Sequence, residues 1–244
     1  MARYARVPSQ GVRRLPTEED RQVRGPSTRS GGRSSSLGMR VKICGITNRA
    51  DAEAAVSAGA DALGFILYEK SKRFIPMERA LGIVEELPPF VQAVAVTVNA
   101  VREFTNLGWR KQLKRFGAAQ LHGEESAVHV RAVGKYLPVI KVFAADRAAG
   151  MEPGDYRVSA FLLDTPSKEH GGTGRVFDWE LAVAFKKRTS KPLILSGGLN
   201  PENVAEAMEK VHPYAVDASS GLEASPGKKD HAKLRDFIQI CKKF

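Results

Sequence analysis

Cysteine is scarce in this 244-residue chain: only Cys44 and Cys241 are present, and they stand far apart. That spacing excludes a disulfide framework or a thiolate metal site. It points to a reducing compartment, so the cytoplasm is the expected location. Long apolar runs are also missing. Nothing approaches the roughly 18 consecutive apolar residues of a membrane helix, so no membrane partner is expected. No His/Asp set at metal-binding spacing stands out. The segment GGTG at 171–174 follows no strand directly, which rules it out as a dinucleotide fingerprint and leaves it as a flexible loop. No metal and no cofactor are therefore expected.

Negative charge is in deficit, and its distribution matters. Lys and Arg outnumber Asp and Glu by 38 to 27, a net charge of +11. Residues 1–38 hold eight Arg against Glu18, Glu19 and Asp20, giving +5, so the remaining 206 residues carry +6. This segment is rich in Arg, Ser, Gly and Pro and has almost no apolar periodicity. It cannot bury enough surface to offset its chain entropy, and is expected to be a disordered tail or an artificial extension. It lacks the apolar region of a secretory signal. A nucleic-acid arm is the rival reading, but beyond Tyr4 it has no aromatics for base stacking, and no nucleic-acid partner is expected.

From residue 39 to 244, strand-length apolar runs alternate with segments of helical period, the pattern of a parallel sheet. Eight runs can be counted: 41–44, 62–67, 91–98, 118–121, 138–143, 160–164, 192–195 and 214–217. Helices are expected over 48–58, 76–87, 101–116, 124–134, 177–187, 201–211 and 229–241, with Asn48 or Thr47 capping the first. Gly150, Pro153 and Gly154 leave the fifth helix short or missing. A doubly wound open sheet could show the same alternation. Eight units in about 200 residues fit a single α/β domain, the (β/α)8 barrel, better.

Chemistry in such a barrel gathers at the C-terminal ends of the strands. Two apolar runs stop abruptly in small residues there, LILSGG at 193–198 and VDASSG at 216–221. Gly197, Gly198, Ser219, Ser220 and Gly221 offer backbone N–H groups and hydroxyls to an anion, with helices expected soon after each, from Pro201 and from Lys228. Cys44 ends the first strand, where Lys42 or Arg73 could favour its ionisation. Asp164 ends the sixth. A thiol and a carboxyl converging on one mouth would make a base and acid pair. Arg73 lies in the second loop and His122 ends the fourth strand; either could touch a ligand or serve the loop alone. The lysine pair at 228–229 reads as a solvated helix face.

Several motifs, in order around the chain, resemble the phosphoribosylanthranilate isomerase family: KICGIT (42–47), SKRFI (71–75), QLHG (120–123), LLDT (162–165), GGTGRVFDW (171–179), LSGGLNPENV (195–204), DASSGLE (217–223) and PGKKD (226–230). The resemblance runs from about Arg40 to Phe244. It implies a cofactor-free Amadori rearrangement in tryptophan biosynthesis, turning N-(5′-phosphoribosyl)anthranilate into 1-(2-carboxyphenylamino)-1-deoxyribulose 5-phosphate. By family role Asp164 is the general acid and Cys44 the general base. Arg73 would face the anthranilate carboxylate, His122 would be a substrate contact, and the glycines and serines would grip the phosphate. The implied partner is a phosphorylated small molecule, and the chain a monomer or homodimer. A ribulose-phosphate epimerase or an indoleglycerol-phosphate synthase is the competing barrel enzyme. A related bisphosphorylated aminoaldose would need a second anion site, and no second Gly/Ser turn pair is visible at strands 3 and 4.

Overall fold

The computed structural model describes residues 38–100, 103–165 and 176–244. Residues 1–37 of the expected tail and the GGTG loop lie outside the described residues. Eight parallel strands close into a barrel: β1 Arg40–Cys44, β2 Ala62–Ile66, β3 Gln92–Thr97, β4 Ala118–Leu121, β5 Val139–Ala144, β6 Ala160–Asp164, β7 Leu193–Leu195 and β8 Ala215–Ala218. Each pairs with the next, and β8 pairs back onto β1 with Ile43 opposite Ala218. The expected (β/α)8 barrel is the observed fold.

Alternation along each strand builds two separate cores. Val94, Ala118, Ile140, Val142, Ala160, Leu162, Ile194 and Ala215 pack together inside the barrel. Their neighbours, such as Ile43, Phe65, Phe161 and Val216, point outward and join the larger cluster beneath the helices. Further along the same inner faces, toward the C-terminal ends, the apolar series gives way to Lys42, Gln120, Asp164, Ser196 and Asp217, all buried. The polar layer therefore belongs to one end of the barrel.

Among the described residues, eight helices surround the sheet: α1 Arg49–Ala58, α2 Met77–Val84, α3 Leu107–Leu113, α4 Ala127–Val133, α5 Ala145–Ala148, α6 Glu180–Lys186, α7 Val204–Val211 and α8 His231–Lys243. Asn48 caps α1, accepting from the Asp51 amide at 2.9 Å. The single third helix expected over 101–116 is instead a 3₁₀ turn, Glu103–Thr105, followed by α3. Asn106 starts this new helix by accepting from the Trp109 amide at 2.9 Å. The fifth helix is one turn of α5 and a 3₁₀ turn at Pro153–Asp155, as the Gly and Pro residues require. The last helix begins later than expected, because Asp230 caps it through the Ala232 and Lys233 amides. Lys228–Lys229 (β10) instead pairs antiparallel with Glu223–Ser225 (β9). Period two then exposes Lys228 and buries Lys229, so the solvated helix face expected there is corrected. No described helix is long and apolar enough to cross a membrane.

Candidate active site

The C-terminal mouth of the barrel holds a cavity of about 520 Å³. All nine residues singled out by sequence line it: Cys44, Arg73, His122, Asp164, Gly197, Gly198, Ser219, Ser220 and Gly221. They reach it from β1, the loop after β2, and the ends of β4, β6, β7 and β8. Closure of the sheet makes residues distant in sequence into neighbours around one rim.

The turns after β7 and β8 fit against each other. Gly197 has φ +91°, and a Cβ there would lie 2.5 Å from Thr165 Oγ1 and 2.6 Å from Thr165 N. A Cβ on Gly221 would lie 2.2 Å from Leu199 O. Neither position admits a side chain without moving backbone. Asn203 Nδ2 donates to Gly198 O at 3.0 Å and steadies the first turn. The helical segment directly after β8 is a 3₁₀ turn, Ser220–Leu222, rather than a helix starting near Lys228. Ser219 Oγ is buried without a hydrogen-bond partner among the described residues, so its hydroxyl is uncommitted.

Asp164 and Cys44 stand on either side of these turns, on β6 and β1. Asp164 Oδ1 accepts from the Thr165 amide at 2.8 Å, and Oδ2 lies 3.3 Å from His122 Nε2. The histidine is itself placed by its amide on Thr97 O at 2.8 Å and by Gln120, 3.4 Å from Nδ1. Cys44 is a free, buried thiol. Burial pushes its pKa up; Lys42 opposes that shift, Asp217 adds to it and Lys229 opposes it, with the balance above the ordinary value. Lys42 Nζ donates to Asp217 Oδ1 at 2.7 Å, and Asp217 Oδ2 accepts from Ser196 Oγ at 3.2 Å. Burial disfavours the Lys42 charge, but Asp217 and Cys44 outweigh it and hold the ammonium above the usual lysine range.

Arg73 is committed to a partner within the protein. Its Nε and Nη2 donate to the two oxygens of Glu223 at 2.7 and 2.8 Å, a bidentate fork. Burial disfavours the Glu223 carboxylate, but Arg73 and Lys229 overcome it and hold the pKa below the usual range. Lys229 Nζ donates to Cys44 O at 2.7 Å, Ser219 O at 3.1 Å and Glu223 Oε1 at 3.2 Å. One ammonium thus joins the residue carrying the thiol, the start of the β8 turn and the counter-ion of Arg73. Sequence reasoning missed Ser196, Asp217, Glu223 and Lys229 as parts of the site. All four lie inside quoted motifs, and the burial of Lys229 could have been read from strand alternation in GKKD. Among the described residues, no group of three or more His, Cys, Asp or Glu side chains could hold a metal ion.

The sequence model of the family described as N-(5′-phosphoribosyl)anthranilate (PRA) isomerase matches residues 41–240. An N-(5′-phosphoribosyl)anthranilate isomerase of Geobacter sp. (strain M21) is 50% identical over 209 residues, covering 84% of this chain and 98% of the relative. The crystal structure of the Thermotoga maritima phosphoribosyl anthranilate isomerase superposes with a TM-score of 0.75 at 45% identity, covering 84% of this chain and all of the other. A further structure of the isomerase, in complex with reduced 1-(o-carboxyphenylamino)-1-deoxyribulose 5-phosphate, gives a TM-score of 0.72 at 43% identity over 84% of this chain and all of that one. Fold, mouth and sequence agree: the chain belongs to the N-(5′-phosphoribosyl)anthranilate isomerase family.

Proposed function

We propose that the barrel mouth carries out its family's isomerisation with Asp164 as general acid and Cys44 as general base. The turns after β7 and β8 hold the substrate phosphate. Asp164 protonates the furanose ring oxygen as the anthranilate nitrogen pushes out the C1′–O bond, leaving an open-chain iminium. The Cys44 thiolate then takes the C2′ proton, and the electron pair forms the C1′–C2′ double bond of the enolamine while the nitrogen becomes neutral. Proton gain at C1′ and loss from the C2′ hydroxyl yield the aminoketone. His122, against Asp164, holds the acid in place. Arg73, oriented by Glu223, turns donors that Glu223 does not use toward the anthranilate carboxylate.

The observation that carries this reading is the placement of Cys44 and Asp164 in one cavity, flanking the paired small-residue turns. A single-phosphate substrate is favoured by the opposite rim. There the Asn99 and Gly123 amides already donate to the Glu125 carboxylate at 2.9 and 3.0 Å, leaving them no anion to bind. The further assignments are the cytoplasm, no nucleic-acid partner, and a monomer or homodimer; two free cysteines support the first. The test is the decay of substrate fluorescence. Cys44→Ser and Asp164→Asn, both folded, should each lose about 10²–10⁴-fold in kcat. Decay at the wild-type rate in either variant would move that role to another residue.

A further inference from the structure

Lys42 carries a charge beside the base yet has no part in the steps above. It is 3% exposed and is not among the residues that line the cavity. Its place follows from strand geometry. Lys42 and Cys44 are two apart on β1 and face the same interior. Across from them on β2, Gly64 is the partner of Cys44 and presents no side chain. A Cβ built on Gly64 would lie 2.8 Å from Cys44 Sγ and 3.1 Å from Lys42 Nζ. The ammonium and the sulfur therefore converge over one bare backbone position. Asp217, 2.7 Å from Nζ and itself held by Ser196, fixes the ammonium there.

We propose that Lys42 is a positioning residue whose Asp217-anchored ammonium favours the Cys44 thiolate that isomerisation requires. The proposal rests on the assignment of Cys44 as base and names what makes it one. Four charged groups face this sulfur: Lys42 on its own strand, Asp217 on β8, Lys229 on β10 and Arg73 after β2. Arg73, the other cation that sequence suggested, is forked onto Glu223. Lys229 spends its hydrogen bonds on two carbonyls and Glu223. Lys42 favours the anionic sulfur most strongly, against the burial that disfavours it, and Lys229 adds a smaller pull. When the sulfur takes the C2′ proton it becomes a neutral thiol. When that proton passes on to C1′ of the enolamine, the return to thiolate draws on the same ammonium.

The test is alkylation of Cys44 by iodoacetamide as a function of pH, followed on the Cys44 peptide by mass spectrometry so that Cys241 does not interfere. Wild type is compared with Lys42→Met and with Lys42→Met/Asp217→Asn. The single variant leaves Asp217 buried and unpaired, and the double variant removes both charges and restores the balance. The alkylation midpoint should rise by about one pH unit or more in the single variant, lowering the thiolate fraction near neutral pH about tenfold, and should rise by less in the double variant, which also removes the opposing Asp217 charge. Catalysis should follow in kcat with little change in KM, and recover on the alkaline side. A folded double variant with the wild-type alkylation midpoint would overturn the proposal, leaving Lys42 as a structural partner of Asp217. Full activity in Cys44→Ser would instead defeat the base assignment, and the alkylation series would still report whether Lys42 controls the sulfur.

Discussion

Two buried lysine–carboxylate pairs in this barrel have the same geometry and different places in it. Lys42–Asp217 and Lys141–Glu125 are each 2.7 Å apart, with every side chain at most 5% exposed. Both lysines lie within strands. Lys42 points into the barrel beside Cys44. Lys141 lies between Ile140 and Val142, which face the inner core, and so points outward. There it donates to Gly123 O at 2.6 Å as well as to Glu125, whose carboxylate collects the Asn99 and Gly123 amides. This outer pair fastens the loops after β3 and β4, and so the loop carrying His122. Desolvation makes a buried ion pair a weak source of net stability. The difference teaches that strand face decides use: the outer pair holds loops, the inner one faces the mouth where Cys44 is proposed to react.

The largest effect should come from breaking the outer pair. Glu125→Ala leaves the Lys141 ammonium buried without its counter-ion and two amides without an acceptor, and should cost about 3–5 kcal/mol in denaturant unfolding. The pH midpoint of Cys44 alkylation should not move. Removing both outer charges, as in Lys141→Met/Glu125→Leu, should recover only part of that loss, because the Asn99 and Gly123 amides still lack an acceptor. The inner double variant Lys42→Met/Asp217→Asn should recover more, having no such amides to satisfy. Equal recovery in the two pairs would erase the distinction.

How far this contrast was legible beforehand depended on strand face and on partners distant in sequence. The strand ends could be read directly, because an apolar run stopping at Cys44, Asp164 or Gly197 marks its own C-terminus. Lys42 and Lys141 could not be told apart by type or surroundings. Their difference is one residue of register, which becomes visible once the sheet closes. The contact of His122 with Asp164 joins β4 to β6 and has no local signal. Lys229 was misread because two adjacent lysines before an amphipathic helix resemble its solvated start. A short hairpin and the Asp230 cap made them strand residues instead. Glu223 became meaningful only when Arg73, 150 residues earlier, closed on it.

A middle-sized effect should separate Glu223 from both pairs. Its pKa is lowered in the folded state, so its contribution is present above the ordinary glutamate range and is lost as pH falls through the folded value. Glu223→Gln should therefore be less stable than wild type at neutral pH, by at most about 2 kcal/mol. The gap should narrow below about pH 4.5, the unperturbed glutamate value. Activity should show the loss mainly in KM, since the change frees Arg73 while leaving Asp164 and Cys44 in place. A gap that stays constant through the acid range would mean that Glu223 acts by packing alone.

The smallest effect sharpens the comparison from the side of sulfur. Cys241 is as buried as Cys44, and burial pushes its thiol up to about 12. Lys242 offsets little of this, because its ammonium is engaged by Asp61 at 2.6 Å. A folded state that keeps this proton while the unfolded chain releases it near pH 9 is fully stabilised below that pH. It loses stability as pH climbs toward 12. Around pH 10 the loss should be about 1.4 kcal/mol. Cys241→Ala should flatten this alkaline slope in thermal or denaturant unfolding, whatever offset the smaller side chain adds at neutral pH. An unchanged slope in Cys241→Ala would mean that burial does not hold the Cys241 proton above the ordinary thiol range.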